Sequence, residues 1–400
     1  MAISTKIQGF MNQSSWIRKM FEEGDNLKKQ YGQENVFDFS LGNPNVAPPP
    51  RFKELLRQVV DEEIPNKHGY MQNAGHVQTR EAVAACLSRR QAVSLSYNNI
   101  IMTCGAGGAL NVILKTLVDP GDEVVIPTPF FVEYRFYVDN AGGSARLVKT
   151  KDDFSLDLNA MGEAISEKTK VVLINSPNNP TGKVYDAKSI GELAALLREK
   201  SRIYKKVIYL VSDEPYNDIV YDGLHVPSIL AACDNSIIAS SYSKSLSVPG
   251  ERIGYLAINP AAEDAEGVID GAILCNRILG FVNAPALMQR VIAGLQDVHV
   301  EVEEYRRKRD LLCDGLASLG YRFNRPEGAF YLFARSPVDD DVAFVGELIK
   351  EKIITVPGSG FAGPGYFRIA YCVEDKTIIN AMEGFGRALK RHAYTEPHSK

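Results

Sequence analysis

Ser236-Ile237-Ile238-Ala239-Ser240-Ser241-Tyr242-Ser243-Lys244, continuing through Pro249-Gly250-Glu251-Arg252, sets a lysine just after an apolar run and an arginine eight residues beyond it. The run from Ser236 to Ser241 reads as a buried strand of a parallel sheet, which puts Lys244 at a strand's carboxyl end, where open α/β sheets gather ligands. A lysine stripped of water or set beside another cation loses its proton more easily, and its neutral amine attacks carbonyls. The guanidinium fork of Arg252 suits a phosphate. Taken alone, a lysine after a strand is ordinary.

Three other segments change that reading. Ser176-Pro177-Asn178-Asn179-Pro180-Thr181-Gly182 follows the strand-like run Val171 to Asn175, and Asp213-Glu214-Pro215-Tyr216 ends the run Val207 to Val211. Gly105-Ala106-Gly107-Gly108-Ala109-Leu110 lies where the run Asn99 to Thr103 turns into an apolar helix. Glycines at such a junction let backbone N–H groups and a helix N-terminus face a phosphate. Asn179, Asp213 and Lys244 are 34 and 31 positions apart, room each time for a helix and a strand.

Asn-Pro-Thr-Gly, Asp-x-x-Tyr and Ser-x-Ser-Lys followed by Gly-x-Arg, in this order and spacing, resemble fold-type I pyridoxal phosphate enzymes, specifically the class I/II, aspartate aminotransferase-like family. The resemblance runs from Gly42-Asn43-Pro44 to Arg368. It implies an α/β fold: a large domain with a seven-stranded, mostly parallel sheet between helices, and a smaller α+β domain. It also implies pyridoxal 5'-phosphate as cofactor, amino acids and 2-oxo acids as substrates, and a homodimer with shared active sites.

The resemblance assigns roles residue by residue. Lys244 would hold the cofactor covalently and, once displaced by the substrate amine, carry the proton from the substrate α-carbon. Asp213 would keep the pyridine nitrogen protonated. Tyr216 and Asn179 match the hydrogen-bond donors to the cofactor's phenolic oxygen. The phosphate falls to Arg252, Ser241, Ser243 and the backbone N–H groups of Ala106 and Gly107. Many relatives carry a hydroxyl or amide side chain in the glycine loop; Ala106-Gly107-Gly108 has none. Phe131 matches the ring that stacks on the pyridine, although the adjacent Phe130 leaves a core role for one of the pair. Arg368, within Tyr366-Phe367-Arg368-Ile369-Ala370, matches the arginine that binds the substrate α-carboxylate; the alternative for a cation in so apolar a run is a buried ion pair. Gly42 and Asn179 complete the substrate contacts, and Tyr70 matches a tyrosine that reaches the neighbouring subunit's phosphate.

The chain has 400 residues, 45% hydrophobic and 24% charged, enough for two domains. A net charge of −4 gives no reason to expect nucleic acid or an anionic membrane surface. Cys86, Cys104, Cys233, Cys275, Cys313 and Cys372 form no close-spaced pair, so neither a metal site nor a disulfide framework is expected. No secretory signal or membrane-spanning run is read, which places the protein in the cytoplasm. Seven strand-like runs begin near Asn99, Asp122, Ser144, Lys170, Lys206, Asn235 and Arg252. The expected domains are an N-terminal arm over 1–50 that joins the small domain, a large cofactor-binding domain over 51–283 and a small domain over 284–400. The latter would hold a long charged helix from Arg290 to Leu316 and strands at Ala329 to Ala334, Ile353 to Val356 and Tyr366 to Tyr371. Asp339-Asp340-Asp341 reads as a solvated loop.

The expected activity is transfer of an amino group from an L-amino acid to a 2-oxo acid, 2-oxoglutarate by resemblance, in two ping-pong half-reactions. No lysine stands in the glycine loop to read a side-chain carboxylate, and Arg277 and Arg290 are the alternatives; aspartate, alanine and aromatic donors stay open. A carbon–sulfur β-lyase or an aminocyclopropane-carboxylate synthase would use nearly the same cofactor shell. A ligand-sensing transcription regulator would need a DNA-binding domain, and no basic recognition helix precedes Gly42.

Overall fold

All seven runs become strands in the computed structural model, which describes residues 2–12 and 16–392. In chain order the strands are β1 (Phe37–Asp38), β2 (Ile100–Thr103), β3 (Glu123–Thr128), β4 (Ser144–Lys149), β5 (Thr169–Asn175), β6 (Tyr209–Asp213), β7 (Ser236–Ser241), β8 (Gly254–Ile258), β9 (Tyr331–Arg335), β10 (Ile353–Ile354), β11 (Val356–Pro357) and β12 (Tyr366–Ala370). One seven-stranded sheet has the order β2-β8-β7-β6-β5-β3-β4. Only β8 runs against its neighbours, β2 and β7; every other pairing is parallel.

Alternating residues of these strands bury against helices on both faces, which is why the inner strands read as unbroken apolar runs. Val171, Leu173, Val211 and Ile237 pack with Leu110, Ile113 and Leu114 of the helix Gly105–Leu117. Val172, Ile174 and Leu210 face the opposite way, onto Ile190, Leu193 and Leu197 of the helix Ala187–Tyr204. The edge strand β4 instead alternates exposed and partly buried residues, with Arg146 and Lys149 among them, as an edge that must not template further pairing.

The second core is smaller and mixed. β9, β12 and β11 form an antiparallel sheet, and β1 pairs in parallel with β10. Met20, Val36 and Phe39 of the N-terminal arm share one buried cluster with Leu312, Phe330, Phe367 and Phe385. The expected helix from Arg290 to Leu316 is corrected by the structure to two, Ala286–Ala293 and Val302–Leu319. Gly294 ends the first, and the intervening chain crosses to the helical turn Tyr242–Ser245 that follows β7, where Val300 N donates to Ser245 O at 2.8 Å. Met288, Val291 and Ile292 of the first helix pack with Phe52, Val83 and Ile238, whereas Val300 packs with the small core. We propose on this packing that the division between domains falls at Val300 rather than at 283/284.

In the acidic run Asp339 and Asp340 are exposed in a loop, as expected, and only Asp341 departs, buried at the start of a helix. Asp340 caps the helix Asp341–Lys350 through Ala343 N, and the buried Asp341 accepts from Ser359 N, Ser359 Oγ and Gly365 N. Asp340 thus serves as a cap at the surface and Asp341 as a buried acceptor. All six cysteines are free. No helix among the described residues is long and apolar enough to cross a membrane.

Candidate active site

The carboxyl ends of β3, β5, β6 and β7 converge on a cavity of about 290 Å³. Each strand delivers its residue by register. Asn175, the last residue of β5, lies opposite Asp213 of β6, which in turn lies opposite Ala239 of β7. Asn175 then serves two neighbours: its Nδ2 donates to Asp213 O at 2.8 Å and its Oδ1 accepts from Asn179 N at 2.7 Å. The proline- and asparagine-rich turn is thereby fixed against the β6 end. Asn178 Oδ1 holds it from within by accepting from the Thr181 hydroxyl at 2.9 Å.

Lys244 stands in the single-turn helix Tyr242–Ser245 that follows β7, and its Nζ donates to Gly42 O at 2.8 Å. Desolvation lowers its pKa from 10.5 to about 8, and the positive Arg368 and Arg252 act in the same direction. Asp213 is buried, and loss of water raises its carboxyl to about 7 against the opposing hydrogen bond from Tyr134 Oη at 2.5 Å. Its second oxygen, Oδ1, has no partner among the described residues.

Arg252 lies at the other end. Its Nη1 donates to Pro249 O at 3.0 Å, and its Nη2 stands 3.0 Å from where a Cβ on Gly105 would be. A glycine there lets the guanidinium lie on the start of the helix Gly105–Leu117, whose N-cap, Cys104, makes no side-chain cap bond. Gly105 begins this helix. Ala106, Gly107, Ser241 and Ser243 line the same end of the chain's cavity wall. Helical N–H groups at a helix start and an arginine without a carboxylate among the described residues are the donors that an anion would use.

The small domain supplies Arg368 from β12. It is 2% exposed, with its guanidinium 4.6 Å from the centre of Tyr331 and 4.7 Å from that of Phe361. Nη1 donates to Asn179 Oδ1 at 3.0 Å and Nη2 to Ser40 O at 2.5 Å, while Nε has no partner among the described residues. Among the described residues no carboxylate pairs with it, which removes the buried ion pair as its explanation. A buried cation left without its counter-ion points to a ligand that brings one.

The structure separates the two phenylalanines: Phe130 is buried in the sheet's core and Phe131 lines the cavity. Gly42, Asn179, Tyr216 and Lys244 line it as well. A Cβ on Gly42 would lie 1.8 Å from Tyr331 Oη, so only glycine lets this backbone pass. Tyr70 does not line the cavity; it is 93% exposed. Arg277 and Arg290 do not line it either. Sequence reasoning missed Tyr134, Tyr137, Asn175 and Tyr331, together with Ile17 and Leu41 of the N-terminal arm. Tyr134 had a signal, standing three residues after Phe131 at a helix start, a spacing that places both on one face.

Comparison with known proteins agrees with this geometry. Residues 34–385 match the family described as aminotransferase class I and II. A probable aspartate aminotransferase of Methanocaldococcus jannaschii is 34% identical over 356 residues, covering 87% of this chain and 92% of that protein. An aspartate/prephenate aminotransferase of Thermus thermophilus is 33% identical, covering 88% and 90%. An aminotransferase crystal structure from Eubacterium rectale superposes with a TM-score of 0.95 at 36% identity, over 98% of this chain and 99% of that one. The Thermus thermophilus aspartate aminotransferase solved with maleate gives 0.86 at 29% identity, over 97% and 100%. A lysine at a strand end facing an arginine that lacks its counter-ion thus stands within a fold and sequence shared along almost the entire chain, and the protein belongs to the class I and II aminotransferases.

Proposed function

We propose that this aminotransferase binds pyridoxal 5'-phosphate in the cavity between Asp213 and Arg252 and moves an amino group from an L-amino acid to 2-oxoglutarate. The single observation that carries the reading is the set of unmatched groups around one cavity: a buried Asp213 Oδ1, a buried Arg368 Nε and an amine lowered to about 8. The family is pyridoxal phosphate-dependent, and the residues present fit the group. Asp213 would face its ring nitrogen, Phe131 its ring face, and Asn179 and Tyr216 its phenolic oxygen. Arg252, Ser241, Ser243 and the N–H groups of Ala106 and Gly107 would take its phosphate, and Lys244 its carbonyl carbon. When bound, the cofactor supplies an electron sink for negative charge at the substrate α-carbon.

The chain's own residues do the rest. Arg368 binds the α-carboxylate, and its fixed plane orients the α-carbon toward Lys244. Asn179 Oδ1 is already committed to Arg368, so its Nδ2 is the group free for the cofactor oxygen. Lys244 Nζ, with a pKa of about 8, would accept the substrate α-proton as a free amine. Tyr134 holds Asp213 through Oδ2 and leaves Oδ1 directed to the ligand.

A homodimer is part of the proposal. Tyr70, Leu274, Ile278 and Leu279 are exposed, and the segments that carry them are tied together, with Asn73 Nδ2 donating to Val282 O and Asn276 Nδ2 to Asn73 O, both at 2.9 Å. An exposed apolar patch of this kind suits a second subunit. The six free cysteines accord with a cytoplasmic, reducing setting.

The test is an absorbance titration of the cofactor-loaded protein with single amino acids and no oxo acid. The expected result is a spectral change with stoichiometric release of the donor's oxo acid, reversed by 2-oxoglutarate, the fastest donor naming the side-chain class. Continuous release of pyruvate and ammonia without an acceptor would instead establish a lyase.

A pH dependence follows from the lowered lysine. Only the neutral amine attacks a carbonyl, so incorporation of pyridoxal phosphate into the apoprotein should accelerate as pH rises and level off above about 8, where Lys244 is deprotonated. Stopped-flow absorbance between about pH 6 and 10 reads the midpoint. A rate still climbing at pH 10 would show an ordinary, unshifted lysine.

A further inference from the structure

The glycine loop Gly105-Ala106-Gly107-Gly108 carries no hydroxyl or amide side chain, and a phenol from elsewhere in the fold stands against it. Gly107 is the third residue of the helix Gly105–Leu117. A Cβ built on it would stand 3.1 Å from Tyr137 Oη, so the phenol occupies the place where a side chain at 107 would project. Tyr137 comes from the helix Tyr134–Ala141, one turn beyond the Asp213 partner Tyr134. It lines the cavity together with Gly107, Ser243 and Arg252.

Two facts distinguish this phenol from simple packing. Its hydroxyl forms no hydrogen bond among the described residues, and the residue, partly buried, lines the cavity. A tyrosine that buries its ring ordinarily finds a partner for its oxygen. The hydroxyl also stays a donor: desolvation raises its pKa, Glu133 and Asp213 act the same way, and Arg252 opposes them.

We propose that the Tyr137 hydroxyl donates a hydrogen bond to the cofactor's phosphate, replacing the side-chain ligand that the glycine loop does not provide. The proposal rests on the reading of this cavity as a pyridoxal phosphate site. It also gives Gly107 a reason: a Cβ at 107 would crowd the phenol at 3.1 Å, and the hydroxyl is supplied across the cavity from a neighbouring helix. The adjacent N–H groups of the helix start and the Arg252 fork would complete the seat.

The experiment compares binding of pyridoxal phosphate and of pyridoxal, which lacks the phosphate, to apoprotein, followed by fluorescence quenching without turnover. Tyr137→Phe keeps the ring and should weaken pyridoxal phosphate by about tenfold, one hydrogen bond to a charged group at a partly solvated site, while pyridoxal affinity stays within about twofold. In the double variant Tyr137→Phe/Gly107→Ser, the hydroxyl returns from the loop itself and most of the lost affinity should return with it. Unchanged pyridoxal phosphate affinity in Tyr137→Phe overturns the proposal, and so does an equal loss for both ligands, which marks packing alone. Wild-type protein that holds pyridoxal phosphate no more tightly than pyridoxal would overturn the phosphate seat itself, a failure separate from that of Tyr137.

Discussion

Lys244→Ala should lower turnover by roughly 10⁴-fold or more, because one change removes both the carbonyl-reactive amine and the carrier of the α-proton. The loss should come without a loss of folding, and the lysine's own titration says why. Lys244 is a base whose pKa in the fold, about 8, lies below its ordinary 10.5. The unfolded chain therefore binds more protons between these values, and stability rises with pH across that window. Below about pH 8 the fold carries the full cost of a desolvated ammonium, a cost that alanine removes. Apoprotein of the variant should melt at or above the wild-type temperature near pH 7, and the gap should narrow toward pH 10. Calorimetry beside a coupled turnover assay separates the two effects. Wild-type-like turnover in the purified variant would end the assignment of Lys244.

Arg368→Lys should raise the KM for amino acid and oxo acid alike by roughly 30- to 100-fold, on the order of 2 to 3 kcal/mol, the worth of a buried charge-assisted pair. An ammonium keeps the charge but not the fork, and it cannot lie flat between Tyr331 and Phe361 as the guanidinium does. It also cannot keep both bonds, to Asn179 Oδ1 and to Ser40 O, while still presenting two donors to a carboxylate. Half-reaction kinetics with one amino acid in excess give the apparent affinity directly. Primary amines without a carboxylate serve as the control, since they should react at similar rates with both proteins. Unchanged affinity for the amino acid would move the carboxylate seat away from Arg368.

The sheet was readable because its inner strands are covered on both faces. The run Ser236 to Ser241 carries no exposed position to interrupt it, and Val171 to Ile174 is the same. Phe130 and Phe131 mark where such reading ends: adjacent identical residues give opposite answers, and only the burial of Phe130 in the sheet's core assigns Phe131 to the cavity. The helix from Arg290 to Leu316 was over-extended because Gly294 alone is a weak stop signal. Its force comes from Leu55, whose Cδ1 would stand 2.9 Å from a Cβ at that position, and from the crossing to Ser245 O, neither of which is local. The partners of Arg368 are 189 and 328 positions distant, and no periodicity reports them. Tyr137 and Tyr331 were missed for the same reason, as their place in the cavity is set by helix and strand docking.

Arg368 is held by rings on two sides and by Ser40 and Asn179 before any substrate arrives. Dissolved ions cannot approach a guanidinium enclosed in this way, so they have little to screen. Affinity for the amino acid should therefore stay nearly level as ionic strength climbs, and the enzyme should fill with substrate as readily in concentrated salt as in dilute buffer.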